Sequence, residues 1–227
     1  DFVGKRQVPV ISHEIGQWCV YPNFAEIPKY KGYLKAKNFE IFRDRLTASG
    51  LGHLSAEFLS ASGKLQTLCY KEDIESALRT PGMDGFELLD IHDFPGQGTA
   101  LVGVLDPFWE NKGYVTASEY SRFCNALVPL ARMRKRVFTN DQAFDAVLDV
   151  ANFGPADIGN ARLSYFIQGK DGAVHAASQS PALVVPIGNE PISLPVSLDL
   201  SRIGKAQACK FVVQINSADG KLLAEND

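Results

Sequence analysis

The sequence predicts an α/β region followed by an all-β region of immunoglobulin-like sandwich type, and three observations predict it. Two short apolar runs, VPVIS at residues 8–12 and FELLDI at residues 86–91, are separated by long stretches of helical period. Near residue 135 the period falls to two. Beyond that point about seven short strands follow at regular spacing, with turn residues between them and no helical pattern.

Each element has its own signal. NFEIFRDRLTASG predicts a first helix, with Asn38 as candidate cap, Phe39, Phe42 and Leu46 at helical spacing, and Gly50 as the stop. Phe58, Leu59, Leu65, Leu68, Ile74 and Leu78 carry a second helical pattern from about His53 to Arg79, which Gly63 is expected to break or bend. TASEYSRFCNALV predicts a third helix from Thr116, where Glu119 completes a capping-box pattern. Strands alternating with long helical stretches imply a parallel sheet with crossovers.

In the later region Phe144, Ala146, Leu148 and Val150 form one face of a strand. RLSYFIQGKDGAVHAAS predicts a hairpin turning between Gly169 and Gly172, ISLPVSLDLS a further strand, and CKFVVQINSADGKLL a hairpin turning at Asp219 and Gly220.

Composition narrows the function classes. A chain of 227 residues, 45% hydrophobic and 22% charged, has the make-up of a globular protein of one or two domains. Its 23 basic and 26 acidic residues give a net charge of −3, and the one dense basic cluster, ARMRKR at 131–136, reads as a solvated linker rather than a nucleic-acid site. No apolar run approaches a bilayer span. Cys19, Cys69, Cys124 and Cys209 form no CxxC or Cys/His cluster, so four free thiols, mostly buried, are expected, and neither a metal nor a cofactor is. The chain opens DFVGKRQ, and the expectation is a piece of a longer protein.

In parallel α/β architectures the chemistry gathers at the carboxyl ends of strands. Both apolar runs give way there to polar residues: His13, Glu14 and Gln17, with Trp18, after the first, and His92, Asp93 and Gln97 after the second. A glutamate at a strand end beside a histidine and an aromatic is suited to nucleophilic or acid–base work. A strand-end carboxylate bonded only to neighbouring backbone is the plain alternative. Other chemistries fit poorly. Gln17 stands where a zinc-protease HExxH needs its second histidine, and Gly96, Gly98 and Gly103 do not make GxGxxG. No GxSxG elbow is present.

The order ISHEIGQW, a long helical insert, GFELLDIHDFPGQGTALVGVLD and then an all-β region resembles the end of the catalytic barrel and the following sandwich of glycoside hydrolase family 2. The insert between Tyr33 and Gly82 makes it closer to large, divergent Bacteroidetes-like members. Gly85, Phe86, Asp93, Phe94 and Gln97 fall in order on the family's eighth-strand pattern, while His92 stands where that pattern usually has tryptophan.

The resemblance implies that residues 1–133 are the last strands and helices of a TIM (β/α)8 barrel and residues 134–227 an immunoglobulin-like sandwich. It implies a retaining, β-galactosidase-like glycosidase with Glu14 as nucleophile and an acid/base in the remainder of the parent chain. His13, Gln17, Trp18, His92, Asp93 and Gln97 would contact an oligo- or polysaccharide. A closed barrel takes about 250 residues, so this stretch alone is expected to be inactive. A periplasmic or cell-surface location, without nucleic acid or a membrane span, goes with the resemblance. A non-catalytic carbohydrate-binding or spacer module is the alternative. Against sugar capture by the sandwich, no tryptophan follows residue 135, and Tyr165 and Phe166 fall on opposite faces of one strand.

Overall fold

The computed structural model describes residues 2–94 and 100–227. Contacts divide the chain into two units, each assembled from segments distant in sequence: Ile11–Ile74 with Gly85–Tyr120, and Asp1–Val10 with Glu75–Asp84 and Ser121–Asp227.

In the first of these, β1 (Ile11–Ile15) and β2 (Gly85–Leu88) form a two-stranded parallel sheet, with Ile11 opposite Gly85 and Ile15 opposite Leu88. The crossover between them is helical, as the alternating pattern requires. Its parts are a 3-10 helix at Phe24–Lys29, α1 (Lys37–Ala48), a 3-10 turn at Gly52–Leu54 and α2 (Ser55–Leu78), whose last turn counts with the other unit.

The first apolar run is not a buried strand: Val8 and Ile11 are 67% and 58% exposed. Pairing starts later than the hydrophobic pattern does, so His13 and Glu14 lie inside β1 rather than after it.

The helices correct two expectations. Asn38 does not cap α1. The helix starts at Lys37 behind Ala36, which has no side-chain cap bond, because burial of Ala36 and Phe39 against Val20 and Leu101 sets the start. Gly50, at φ 75°, ends it as expected. Gly63 neither breaks nor bends α2 out of its 24-residue run. A Cβ at Gly63 would come within 2.3 Å of the Tyr114 ring, so the glycine permits close packing on the helix.

The capping box at Thr116 forms, with the Glu119 amide donating to Thr116 Oγ1 and the Thr116 amide to Glu119 Oε2. Its helix, α3 (Ala117–Tyr120), nevertheless lasts one turn. Leu127–Arg132 becomes β3 instead, paired antiparallel with Val147–Asn152, and a strand at the sheet edge accommodates Pro129, which has no amide to donate.

The other unit holds two sheets. One runs β3–β4–β8, with β4 (Ala143–Asn152) central and β8 (Leu194–Asp199) beyond it. The second runs β10–β9–β5–β6, from β5 (Ile158–Gly169), β6 (Val174–Gln179), β9 (Cys209–Asn216) and β10 (Leu222–Asn226), with β7 (Leu183–Val185) also on β5. Both expected hairpins are present, and the alternate residues Phe144, Ala146, Leu148 and Val150 are all buried in one core with Leu163, Val185, Leu198 and Ile215.

The four cysteines are free, but Cys19 and Cys209 are exposed and the other two half-buried rather than mostly buried. No helix among the described residues is long and apolar enough to cross a membrane.

Candidate functional site

All the described site residues expected from sequence lie in the unit of β1 and β2. Parallel pairing puts the carboxyl ends of both strands at the same rim, and the Leu89 amide donating to Ile15 O (3.0 Å) carries the pairing one residue past β2.

Glu14 is exposed and adopts φ 48°, in the left-handed region that a non-glycine residue enters only at an energetic cost. Gly16 follows at φ 84° and is buried against Tyr70, whose ring leaves no room for a Cβ there. Glu14 falls where the register of β1 on β2 shifts, between Ser12 and Ile15, so it sits at an irregularity within the strand while Ile15 remains paired with Leu88. Among the described residues nothing bonds the Glu14 carboxylate. Gln17 Nε2 reaches only the Glu14 backbone carbonyl, at 3.4 Å.

The neighbours divide into two groups. His13 points across the sheet to Glu87, with Nε2 and Oε1 3.0 Å apart at an exposed site. Trp18 is tethered to α2, its Nε1 donating to Asp73 Oδ2 at 2.7 Å while its carbonyl accepts from Gln66 Nε2. His92 lies beyond β2. Its Nδ1 is 2.7 Å from Asp93 O, and its ring packs on Trp109 with centroids 4.5 Å apart. Gln97 lies outside the described residues.

Asp93 is 1% exposed, and its carboxylate is a structural anchor. Oδ1 accepts from the buried ammonium of Lys112 at 2.6 Å and from the Gly103 amide at 3.0 Å, while Lys112 also donates to Gly103 O at 2.8 Å. Burial pushes Asp93 up and Lys112 down from their ordinary values, and the opposite charge of each partner offsets that shift. Gly103 has no space for a side chain, since a Cβ would lie 2.2 Å from the His92 carbonyl carbon. Gly103→Ala is therefore expected to destabilise this unit by about 2 kcal/mol or more, read as a lowered urea midpoint; an unchanged midpoint would show that the close approach relaxes freely.

A second polar centre adjoins the first. Lys29 bridges Asp106 and Glu110, the latter at 2.8 Å. Burial opposes the charge on Lys29, but these bonds outweigh it and hold the ammonium up at about 12. Burial likewise opposes the Asp106 charge, yet Lys29 and the amides of Phe108 and Glu110 hold that carboxyl below its usual range. Glu26 is 1% exposed, and neither of its carboxylate oxygens has a hydrogen-bond partner. Burial, with Asp93 and Asp106 adding to it against the pull of Lys112 and Lys29, raises it from 4.5 to about 7.

The sign of the linkage follows directly. Unfolded chains release this proton near pH 4.5 while the fold keeps it to about 7, so stability present below pH 4.5 is lost as pH rises towards 7. The loss amounts to about 3 kcal/mol. Urea denaturation between pH 4.5 and 8 is expected to show this decline, and Glu26→Gln to flatten it. Parallel curves for the two proteins would exclude Glu26 as the source.

A cleft of about 400 Å³ opens beside this cluster, lined among others by Asn23, Phe24, Leu59, Ser60, Lys112 and Tyr114. None of the described residues expected from sequence lines it. Among the described residues no group of histidine, cysteine and acidic side chains could hold a metal ion. Lys112, Glu26, Asp106 and Trp109 escaped the sequence reading because their partners are set by tertiary contact; the exposed aromatic beside Gly-rich and polar loops was the one available signal, at Trp109.

A family model described as a domain of unknown function, DUF8488, matches residues 142–227. No curated protein matches the chain. Solved structures with some likeness include a variant of the exo-chitosanase CsxA from Amycolatopsis orientalis bound to a nitrophenyl glucosaminide, at TM-score 0.49 and 11% identity, covering 75% of this chain and 19% of that one. A β-glucuronidase from glycoside hydrolase family 2 aligns at TM-score 0.30 and 16% identity, over 44% of this chain and 10% of that one. The chain thus spans about a fifth of the exo-chitosanase's length.

Proposed function

We propose that the chain is a fragment of a retaining glycoside hydrolase that cleaves β-glycosidic bonds, with Glu14 as its nucleophile. Residues 1–133 would end its TIM barrel, and residues 134–227 would be the immunoglobulin-like sandwich behind it. The observation that carries the reading is the parallel register of β1 and β2, which sets Glu14 and the segment running from Leu89 to His92 at one rim. Catalytic groups of parallel barrels occupy that position. The left-handed backbone of Glu14 and its unbonded carboxylate add support, since strain of this kind collects at functional sites.

In such an enzyme the Glu14 carboxylate attacks the anomeric carbon as the leaving oxygen takes a proton, and forms a glycosyl ester that water then hydrolyses. The proton comes from a second carboxyl group about 5 Å away, supplied by the remainder of the parent chain. This segment alone is expected to turn over nothing. His13, just before Glu14, and Gln17 and Trp18, just after it, would meet sugar hydroxyls and a pyranose face, and Gln97 would be a further sugar contact. Asp93 would act by holding Gly103 and Lys112 in place. The parent would work in the periplasm or at the cell surface on an oligo- or polysaccharide. Turnover of aryl β-glycosides by the parent, with Glu14 intact and as Glu14→Gln, tests the assignment; equal rates would end it.

A further inference from the structure

We propose that Trp109 supplies the aromatic wall of the sugar site, with His92 packed beside it to bond a sugar hydroxyl; this rests on the glycosidase reading above. Trp109 is 63% exposed although large aromatic rings are normally covered, and it sits at φ 65°, a backbone conformation that costs energy in a non-glycine residue.

The turn around it is firmly built. Asp106 Oδ1 accepts from the Phe108 amide at 2.8 Å and the Glu110 amide at 2.9 Å, the Trp109 amide donates to Asp106 O at 3.0 Å, and Lys29 closes the cluster from the other side. A strained residue held by a buried carboxylate, with its side chain turned out to solvent, is arranged for presentation rather than for packing.

The ring is presented to His92, centroids 4.5 Å apart, on the segment that leaves β2 at the same rim as Glu14. The His92 Nδ1 faces the Asp93 backbone carbonyl, which can only accept, so Nδ1 donates there and the ring is oriented with Nε2 turned away from that bond. Among the described residues nothing bonds Nε2.

Trp109 and His92 together therefore offer an apolar ring face and an adjacent imidazole nitrogen. A pyranose presents the matching pair, a face of C–H groups and equatorial hydroxyls that donate and accept. Glycines could not fill this role, and neither could the exposed aliphatic side chains of the same unit.

The test is made in the full-length parent with the p-nitrophenyl β-glycoside that it turns over fastest. Trp109→Ala is expected to raise KM about tenfold with kcat changed much less, and to weaken binding of the same glycoside to the Glu14→Gln protein by a similar factor. Trp109→Phe is expected to recover most of both. The melting temperature should hold, because so exposed a ring contributes little to the fold. If Trp109→Ala leaves KM and binding unchanged while Glu14→Gln abolishes turnover, the wall is elsewhere and the glycosidase reading survives. If Glu14→Gln retains turnover, both fall.

Discussion

Glutamine at position 14 is expected to lower the parent's kcat on aryl β-glycosides by about a thousandfold or more, with KM little altered. The amide keeps the volume and rotamers of the glutamate but cannot attack the anomeric carbon. Glu14 is exposed and its carboxylate has no partner among the described residues, so no folding contact is lost and the melting temperature should stay where it is. Glycine goes further as a probe. At φ 48° it relieves the strain that any other residue would inherit, and it opens space for a small external nucleophile. Azide added to the Glu14→Gly parent is expected to restore turnover by attacking the anomeric carbon from the vacated side, expelling the aglycone and leaving a glycosyl azide of inverted configuration. A Glu14→Gln enzyme with near-normal kcat would remove Glu14 from the chemistry.

Lys112→Met is expected to destabilise the unit of β1 and β2 by about 3–5 kcal/mol, the cost of stripping one partner from a buried ion pair. The arithmetic is harsher here than for an isolated pair. Asp93 Oδ1 would keep only the Gly103 amide, Oδ2 already has no partner, and Glu26 nearby would lose its main stabilising cation. Both acidic groups would move towards their neutral forms, so the defect should grow with rising pH. Pairing Lys112→Met with Asp93→Leu is expected to return much of the loss, since two apolar groups of similar size carry no desolvation penalty. Urea midpoints of the two single variants and the double variant measure the coupling. If Lys112→Met melts with the parent sequence's midpoint, the buried pair holds nothing together.

Much of the local structure was legible because its causes are local. The alternation at Phe144–Val150, the turns at Gly169–Gly172 and Asp219–Gly220, and the Thr116–Glu119 box each depend on residues within a few positions of one another. The extent of elements was less legible. Thr116 starts a helix correctly, but the pull of β4 on Leu127–Arg132 outweighs helical periodicity a turn later. Gly63 reads as a breaker only when Tyr114, which needs the missing side chain's space, is out of view.

The same division runs through the candidate site. Residue order along the chain was enough to indicate one strand–helix–strand unit of parallel character, to single out Glu14 and His92 near strand ends, and to separate them from the all-β segment, because periodicity and turn chemistry are written in neighbouring residues. Folding alone settled that Glu14 bends into left-handed backbone, that Asp93 is consumed by Lys112, that Glu26 is sealed in without a partner, and that Trp109 meets His92. Those features depend on desolvation and on contacts between side chains far apart in sequence, and neither quantity exists until the chain has closed around them.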